Sequence, residues 1–320
     1  MKKHILTLLT IATSYLSNAQ DAEFSQFYSA PLYLNPAYAG TDSSARLGFN
    51  YRYQWPDMPG KFTTYCLAYD QYVKALHGGL GVVAWYDDAA SGTMKTENIS
   101  GIYSFQLNVT NDFTINAGFE AAYMHKSLDW SKITFGDQID PRYGFVFTGQ
   151  NIQNKSSNQY VDLSAGILGY TKEFYGGVAV DHLTQPNEGF ALLPTPIPMK
   201  ITADFGAMIP LNESGRNQTF ISPNFIVQFQ QSFQQYNLGL DLEYGIMTAG
   251  CWYRFSPTNG DAIITMLGLK AWRFKVAYSY DITVSGLANY SGGAHEISLA
   301  YLFRSKKGLT TTRRINSPSF

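Results

Sequence analysis

Phe113-Thr114-Ile115-Asn116-Ala117-Gly118-Phe119-Glu120-Ala121-Ala122-Tyr123-Met124 is apolar at every odd position and mostly polar or small at the even ones. A period of two puts successive side chains on opposite faces, so the stretch reads as a β-strand with one greasy face and one wet face. The same alternation recurs. Leu47, Phe49, Tyr51 and Tyr53 oppose Arg46, Gly48, Asn50 and Arg52, and Ile201, Ala203, Phe205, Ala207 and Ile209 oppose Lys200, Thr202, Asp204, Gly206 and Met208. Tyr236 to Tyr244, Phe274 to Tyr280 and Ile297 to Phe303 repeat it, and no segment sustains a helical period.

With the weaker segments added, strands are expected near 45–53, 62–70, 78–86, 96–107, 112–124, 160–170, 174–182, 199–209, 219–229, 233–243, 245–255, 260–270, 273–281 and 294–303. That makes fourteen. Most run to about 9 to 12 residues, which suits a tilted strand crossing a membrane and exceeds the usual five or six of soluble sheets. Composition agrees: 45% hydrophobic, 15% aromatic and only 15% charged, with 23 Tyr, 21 Phe and 28 Gly. The net charge of −1 points to neither a nucleic-acid binder nor a polyacid. Two cysteines in 320 residues build no disulfide framework, and no Cys/His spacing suits zinc. Cys66 belongs to the polar face of its strand and Cys251 to the apolar face of its own, so the two should not meet.

Met1-Lys2-Lys3-His4, the apolar Ile5 to Leu16 and the small residues of Ser17-Asn18-Ala19 read as a signal peptide cleaved after Ala19. No later apolar run is long enough for a transmembrane helix, so a membrane-embedded chain must be a barrel. Outer-membrane barrels carry short turns at one end and long loops at the other. Every expected connection longer than nine residues follows an odd-numbered strand, His125 to Gln159 and Leu183 to Pro198 above all, while the hairpin at Ser232 is the odd connection that is too short. This parity places both termini in the periplasm and the long loops outside. A soluble β-sandwich would also alternate, but its polar face should be densely charged, whereas here Gly, Ser, Thr and Asn dominate it. Tyr53, Phe62, Tyr86, Tyr123, Tyr244, Phe255 and Tyr280 near strand ends suit interfacial aromatic girdles.

The reading divides the chain into a signal peptide (1–19), an N-terminal lead-in or plug (20–44), an outer-membrane β-barrel (45–303) and a basic periplasmic tail (304–320). In the lead-in, Pro31 and Pro36 block ladder formation, and Asn35-Pro36 followed by Gly40 gives a turn-rich, aromatic segment. It serves either as lumen filler or as a plug or partner-binding segment. Catalysis finds no support: there is no Gly-x-Ser-x-Gly, His-Glu-x-x-His or Gly-x-x-x-x-Gly-Lys motif. In the neighbour pair His295-Glu296, adjacent strand residues face opposite ways, which argues against a dyad. No cofactor, metal or nucleic acid is indicated.

Leu32-Tyr33-Leu34-Asn35-Pro36-Ala37-Tyr38-Ala39-Gly40, Arg52-Tyr53-Gln54-Trp55 and Gly79-Leu80-Gly81 resemble the PorP/SprF family of Bacteroidetes outer-membrane proteins, as do Tyr278 to Leu287 and Gly293 to Leu299. The resemblance runs from about Asp21 to Phe303; the ending Ser317-Pro318-Ser319-Phe320 lacks the Arg of the family's Pro-Arg-Phe type. It implies an outer-membrane barrel of the type IX secretion system that acts by contact and is no enzyme. It implies binding or anchoring of a secreted surface protein or gliding-motility adhesin through that protein's C-terminal domain, with periplasmic secretion components as further partners and outer-membrane lipid around the wall. Asn35, Pro36, Tyr38, Gly40, Arg52, Trp55, His295 and Glu296 are the family-motif matches and candidate partner contacts. The alternative is an outer-membrane channel or transporter for small or hydrophobic solutes, since Arg46, Arg52, Lys200, Asp204, Asp241, Glu243, Arg273 and Lys275 read as lumen-facing and mixed in sign.

Overall fold

The computed structural model describes residues 21–42, 44–133, 139–140, 142–145, 155–190, 194–212 and 218–304; the expected signal peptide and the tail beyond Arg304 lie outside them. Fourteen antiparallel strands form the wall: β1 (Arg46–Gln54), β2 (Phe62–Val73), β3 (Gly78–Ala89), β4 (Met94–Asn108), β5 (Thr114–Leu128), β6 (Ser157–Tyr170), β7 (Phe174–Asp181), β8 (Lys200–Ala207), β9 (Thr219–Gln230), β10 (Phe233–Tyr244), β11 (Met247–Ser256), β12 (Asn259–Ala271), β13 (Phe274–Thr283) and β14 (Ala294–Leu302). Each pairs with its sequence neighbours. The sheet closes where β1 meets β14, from Arg46 opposite Leu302 to Gln54 opposite Ala294. Closure leaves no edge for lipid to meet, and no helix among the described residues is long and apolar enough to cross a membrane.

The alternation sorts the faces as the sequence requires. On β4 and β5 the outward Ile99, Tyr103, Phe119 and Tyr123 are exposed, while the inward Asn98, Ser100, Ser104 and Asn116 are buried. This is a globular protein's polarity turned inside out, because the solvent of the outer wall is lipid. Cys66 is buried on the inner face and Cys251 is exposed on the outer one.

Some expectations need correcting. The connection after β8 is partly strand: Ile209–Asn212 prolongs the wall and pairs with β9 across a register shift. Pro210 is tolerated there because that shift relaxes the ladder. Arg273 sits in the turn between β12 and β13 with its guanidinium over the Trp272 ring, not in the lumen. Phe62 reaches the lumen mouth rather than a girdle, because it shares inward parity with Cys66. Phe255 follows a register shift after Arg254, and its ring stacks on the outward Tyr236 and Tyr253.

The lead-in produces the largest difference. Parity puts the start of β1 and the end of β14 at the short-turn end, yet the lead-in begins at the other. Asp21 bonds His182 and Lys200, which bracket the long 182–199 connection, whereas Gly40 bonds Asp70 near the far end of β2. The segment therefore runs the length of the lumen before β1 starts. Burial explains the path: Phe24, Phe27, Tyr28, Leu32, Leu34, Ala37 and Tyr38 are all buried, and each large side chain gains roughly 1.5–3 kcal/mol by leaving water. Locally it folds as turns, with 3-10 helices at Phe27–Ser29 and Pro36–Tyr38 flanking a single helical turn at Pro31–Leu34. Pro31 and Pro36 start their turns because a proline amide has no hydrogen to lose there.

Candidate functional site: a filled lumen and its open mouth

Four charged side chains from four strands converge beneath the mouth at the long-loop end. Arg52 on β1 and Glu296 on β14 are register partners on the inner face. Arg52 reaches Asp281 Oδ2 at 3.0 Å and Glu296 Oε2 at 3.3 Å, and Arg254 reaches the same Asp281 oxygen at 2.7 Å. All four are buried, so these charges are tolerable only as a mutually compensated set. The lead-in completes the set. The backbone N–H groups of Ser25 and Gln26 donate to the two Glu296 oxygens at 2.6 and 3.1 Å, and the Ser25 hydroxyl donates to Asp281 at 2.6 Å. Arg52 donates in turn to the Ser25 hydroxyl.

Deeper in the lumen the segment Asn35 to Gly40 is seated by shape as well as by bonds. Asn35 caps its turn by accepting from the Ala37 N–H at 2.9 Å and donates to the Ile167 carbonyl at 3.3 Å. Ser104 and Asn116 both donate to the Ala37 carbonyl. The Tyr38 hydroxyl donates to Asp204 at 2.5 Å. The wall gives way where the chain presses on it: a Cβ at Gly118 would stand 2.3 Å from the Ala37 nitrogen. Gly40 combines φ +70° with an N–H donated to Asp70 at 2.9 Å, and a Cβ there would lie 2.5 Å from the Gly79 Cα. A left-handed conformation in so close an approach selects glycine.

Asp21 ties the start of the lead-in to both feet of the 182–199 connection, at 3.0 Å to His182 Nε2 and 3.5 Å to Lys200 Nζ. His182 also holds Asp162 of β6 at 2.6 Å. Burial alone would depress the imidazole, but hydrogen bonds to Asp162 and Asp21 outweigh it and raise its pKa from 6.5 to about 10. Burial likewise works to raise Asp21, yet Lys200 and His182 hold its carboxyl well below the usual range. The connection then folds inward, with Glu188 2.5 Å from Lys126 of β5. His182 and Gln185 adopt positive φ to make that bend.

What remains open is a vestibule of about 490 Å³ at the long-loop end, floored by Asp21 to Glu23 and walled by Trp55, Phe62, Asp87, Lys126, Phe233, Arg254, Phe255 and Asp261 among others.

A family model described as type IX secretion system membrane protein PorP/SprF matches residues 16–301. The chain belongs to the PorP/SprF family. No curated protein matches it in sequence. Among solved structures it is similar to outer membrane protein Omp33 of Acinetobacter baumannii (10% identity, TM-score 0.47, covering 82% of this chain and 100% of that one). It is also similar to a Pseudomonas aeruginosa FadL homologue (14% identity, TM-score 0.46, 84% and 93% covered) and to the toluene transporter TodX of P. putida (9% identity, TM-score 0.47, 85% and 93% covered). These likenesses are of fold. As a PorP/SprF protein with a closed antiparallel β-barrel, the chain is an outer-membrane component of the type IX secretion system.

The PorP/SprF motif residues do not form one surface patch. Asn35, Pro36, Tyr38 and Gly40 lie within the lumen, and Arg52 and Glu296 meet beneath the mouth. Trp55, with φ +57°, lines the vestibule, its backbone N–H donating to the Gly293 carbonyl at 2.8 Å. His295 points outward, its ring bonded to the Tyr278 hydroxyl at 2.8 Å, away from Glu296. Arg254, Asp281, Asp21 and His182 escaped sequence reasoning as a set. Inward parity was the available signal for Arg254 and Asp281, but parity does not say which strands face one another across a lumen; Asp21, in the lead-in, and His182, past the end of β7, had no such signal.

Proposed function

We propose that this PorP/SprF protein works by contact, holding a secreted surface protein at its long-loop face while the short-turn end and basic tail meet periplasmic secretion components. The single observation that carries the reading is the chain's own occupation of its lumen. A barrel filled from Ser25 to Gly40, and tied at Glu296, Asp281, Asp204 and Asp70, offers its mouth and loops for recognition rather than a path for solutes. With loops long on one face only, the asymmetry suits a protein that meets different partners on its two sides.

Affinity purification from detergent-solubilised native membranes, with mass spectrometry of what is retained, tests this directly. A large secreted surface protein or periplasmic secretion components at near-stoichiometric yield is the expected result. A barrel recovered without companions, and showing stepwise conductance in planar bilayers, would replace the anchoring reading with the channel one.

A further inference from the structure

The geometry points to the vestibule as the receptor for a basic, extended stretch of polypeptide from the secreted partner, an inference that rests on the anchoring reading above. The cavity is blind, because Asp21 to Glu23 floor it and the buried lead-in continues beneath them. It lies beside the short connections 55–61, 90–93 and 257–258, and the inward-folded 182–199 segment borders it where Glu188 holds Lys126. A blind, deep cavity of about 490 Å³ admits a few residues of extended chain and holds them by enclosure.

Charge decides what kind of chain. Each base on the wall is matched within the protein: Arg52 by Asp281 and Glu296, Arg254 by Asp261 and Asp281, Lys126 by Glu188. The acids are not all matched in return. Glu23 accepts from the neutral Gln235 at 2.7 Å and Asp87 from the neutral Thr64 at 2.6 Å. The cations they face through space, Arg254 and Lys200 for Glu23 and Lys126 for Asp87, already hold other carboxylates, while Asp261 stays 45% exposed and shares Arg254 with Asp281. The cavity therefore presents surplus carboxylate beside the aromatic residues Trp55, Phe62 and Phe233. Carboxylates with aromatic faces, partly withdrawn from water, favour lysine and arginine side chains. The last described strand ends on the opposite side of the barrel, where the Phe303 N–H donates to the Ala45 carbonyl.

The full-length protein in nanodiscs is titrated with a fluorescein-labelled Gly-Lys-Gly-Arg-Gly-Lys peptide and with the same peptide carrying Glu in place of each base. Saturable binding of the basic peptide alone is expected, weakened about tenfold by Asp87→Asn and again by Glu23→Gln, with added salt lowering affinity. The heat-dependent gel mobility of each variant reports that its barrel is folded. Absence of binding, equal binding of the acidic peptide, or unchanged affinity in both variants would overturn the inference. Native-membrane purification separates this from the anchoring reading. Equal recovery of a secreted partner with wild type and with the double variant sinks the vestibule and leaves anchoring intact, whereas no partner with wild type sinks anchoring itself.

Discussion

At the scale of single residues, Arg52 does the most for its size. Its guanidinium touches Asp281, Glu296 and the Ser25 hydroxyl, so Arg52→Ala strands buried carboxylates and should cost about 3–5 kcal/mol. Arg52→Lys keeps the charge but not the planar fork, and should fall between. The midpoint of heat-induced mobility change on gels measures both; an Arg52→Ala midpoint equal to wild type would show that the cluster contributes nothing. Gly40→Ala tests shape instead of charge. With φ +70° and a Cβ position 2.5 Å from the Gly79 Cα, it should lower the same midpoint by the equivalent of about 1–3 kcal/mol. Arg52 and Glu296 could be singled out from sequence because each sits at an inward position of a cleanly alternating strand. Their shared partner Ser25 could not, since the lead-in has no periodicity to orient it.

Among elements, the strands were legible and the lead-in's route was not, for one physical reason. Period two is written locally, residue by residue, whereas the path of residues 21–41 is set by contacts with strands up to the far end of the chain, such as Ser25 with Glu296. The lead-in and the 182–199 connection are joined through Asp21, and that junction titrates. The groups facing His182 are Asp21, Asp162 and, more remotely, Glu120 and Asp181, with Lys200 on the other side of Asp21. His182 is raised from 6.5 to about 10, so its contribution is complete below pH 6.5 and is lost as pH climbs through 10. Asp21 is lowered from 3.8, so its contribution is complete above pH 3.8 and is lost in stronger acid. Wild type should therefore lose thermal midpoint between pH 6.5 and 10 by more than His182→Gln does. Parallel curves for the two proteins would show that the imidazole is not held charged by this junction.

For the whole molecule, a closed fourteen-strand wall encloses an interior that must be filled or wet. A barrel of this size has room for a lumen that is either aqueous or filled. Here the inner wall is polar, with Arg46, Asn50, Asp70, Thr202, Asp204 and Asn237 all buried, and the lead-in fits aromatic and aliphatic side chains among them. The two surfaces differ in what they would do alone. A polar wall without its filling hydrates and conducts, while a filling seated on buried charges blocks ions. Wild-type protein in planar bilayers should then show no stable conductance steps, and protein lacking residues 24–38 should show them. The variant Arg52→Ala combined with Tyr38→Phe, which removes a tie at each end of the segment without removing any chain, should give brief openings between those limits. Steady steps from wild type would mean that the lumen conducts around the lead-in. The mouth would then serve a solute, and the surplus carboxylate of the vestibule would act as a filter for cations rather than a seat for a basic peptide.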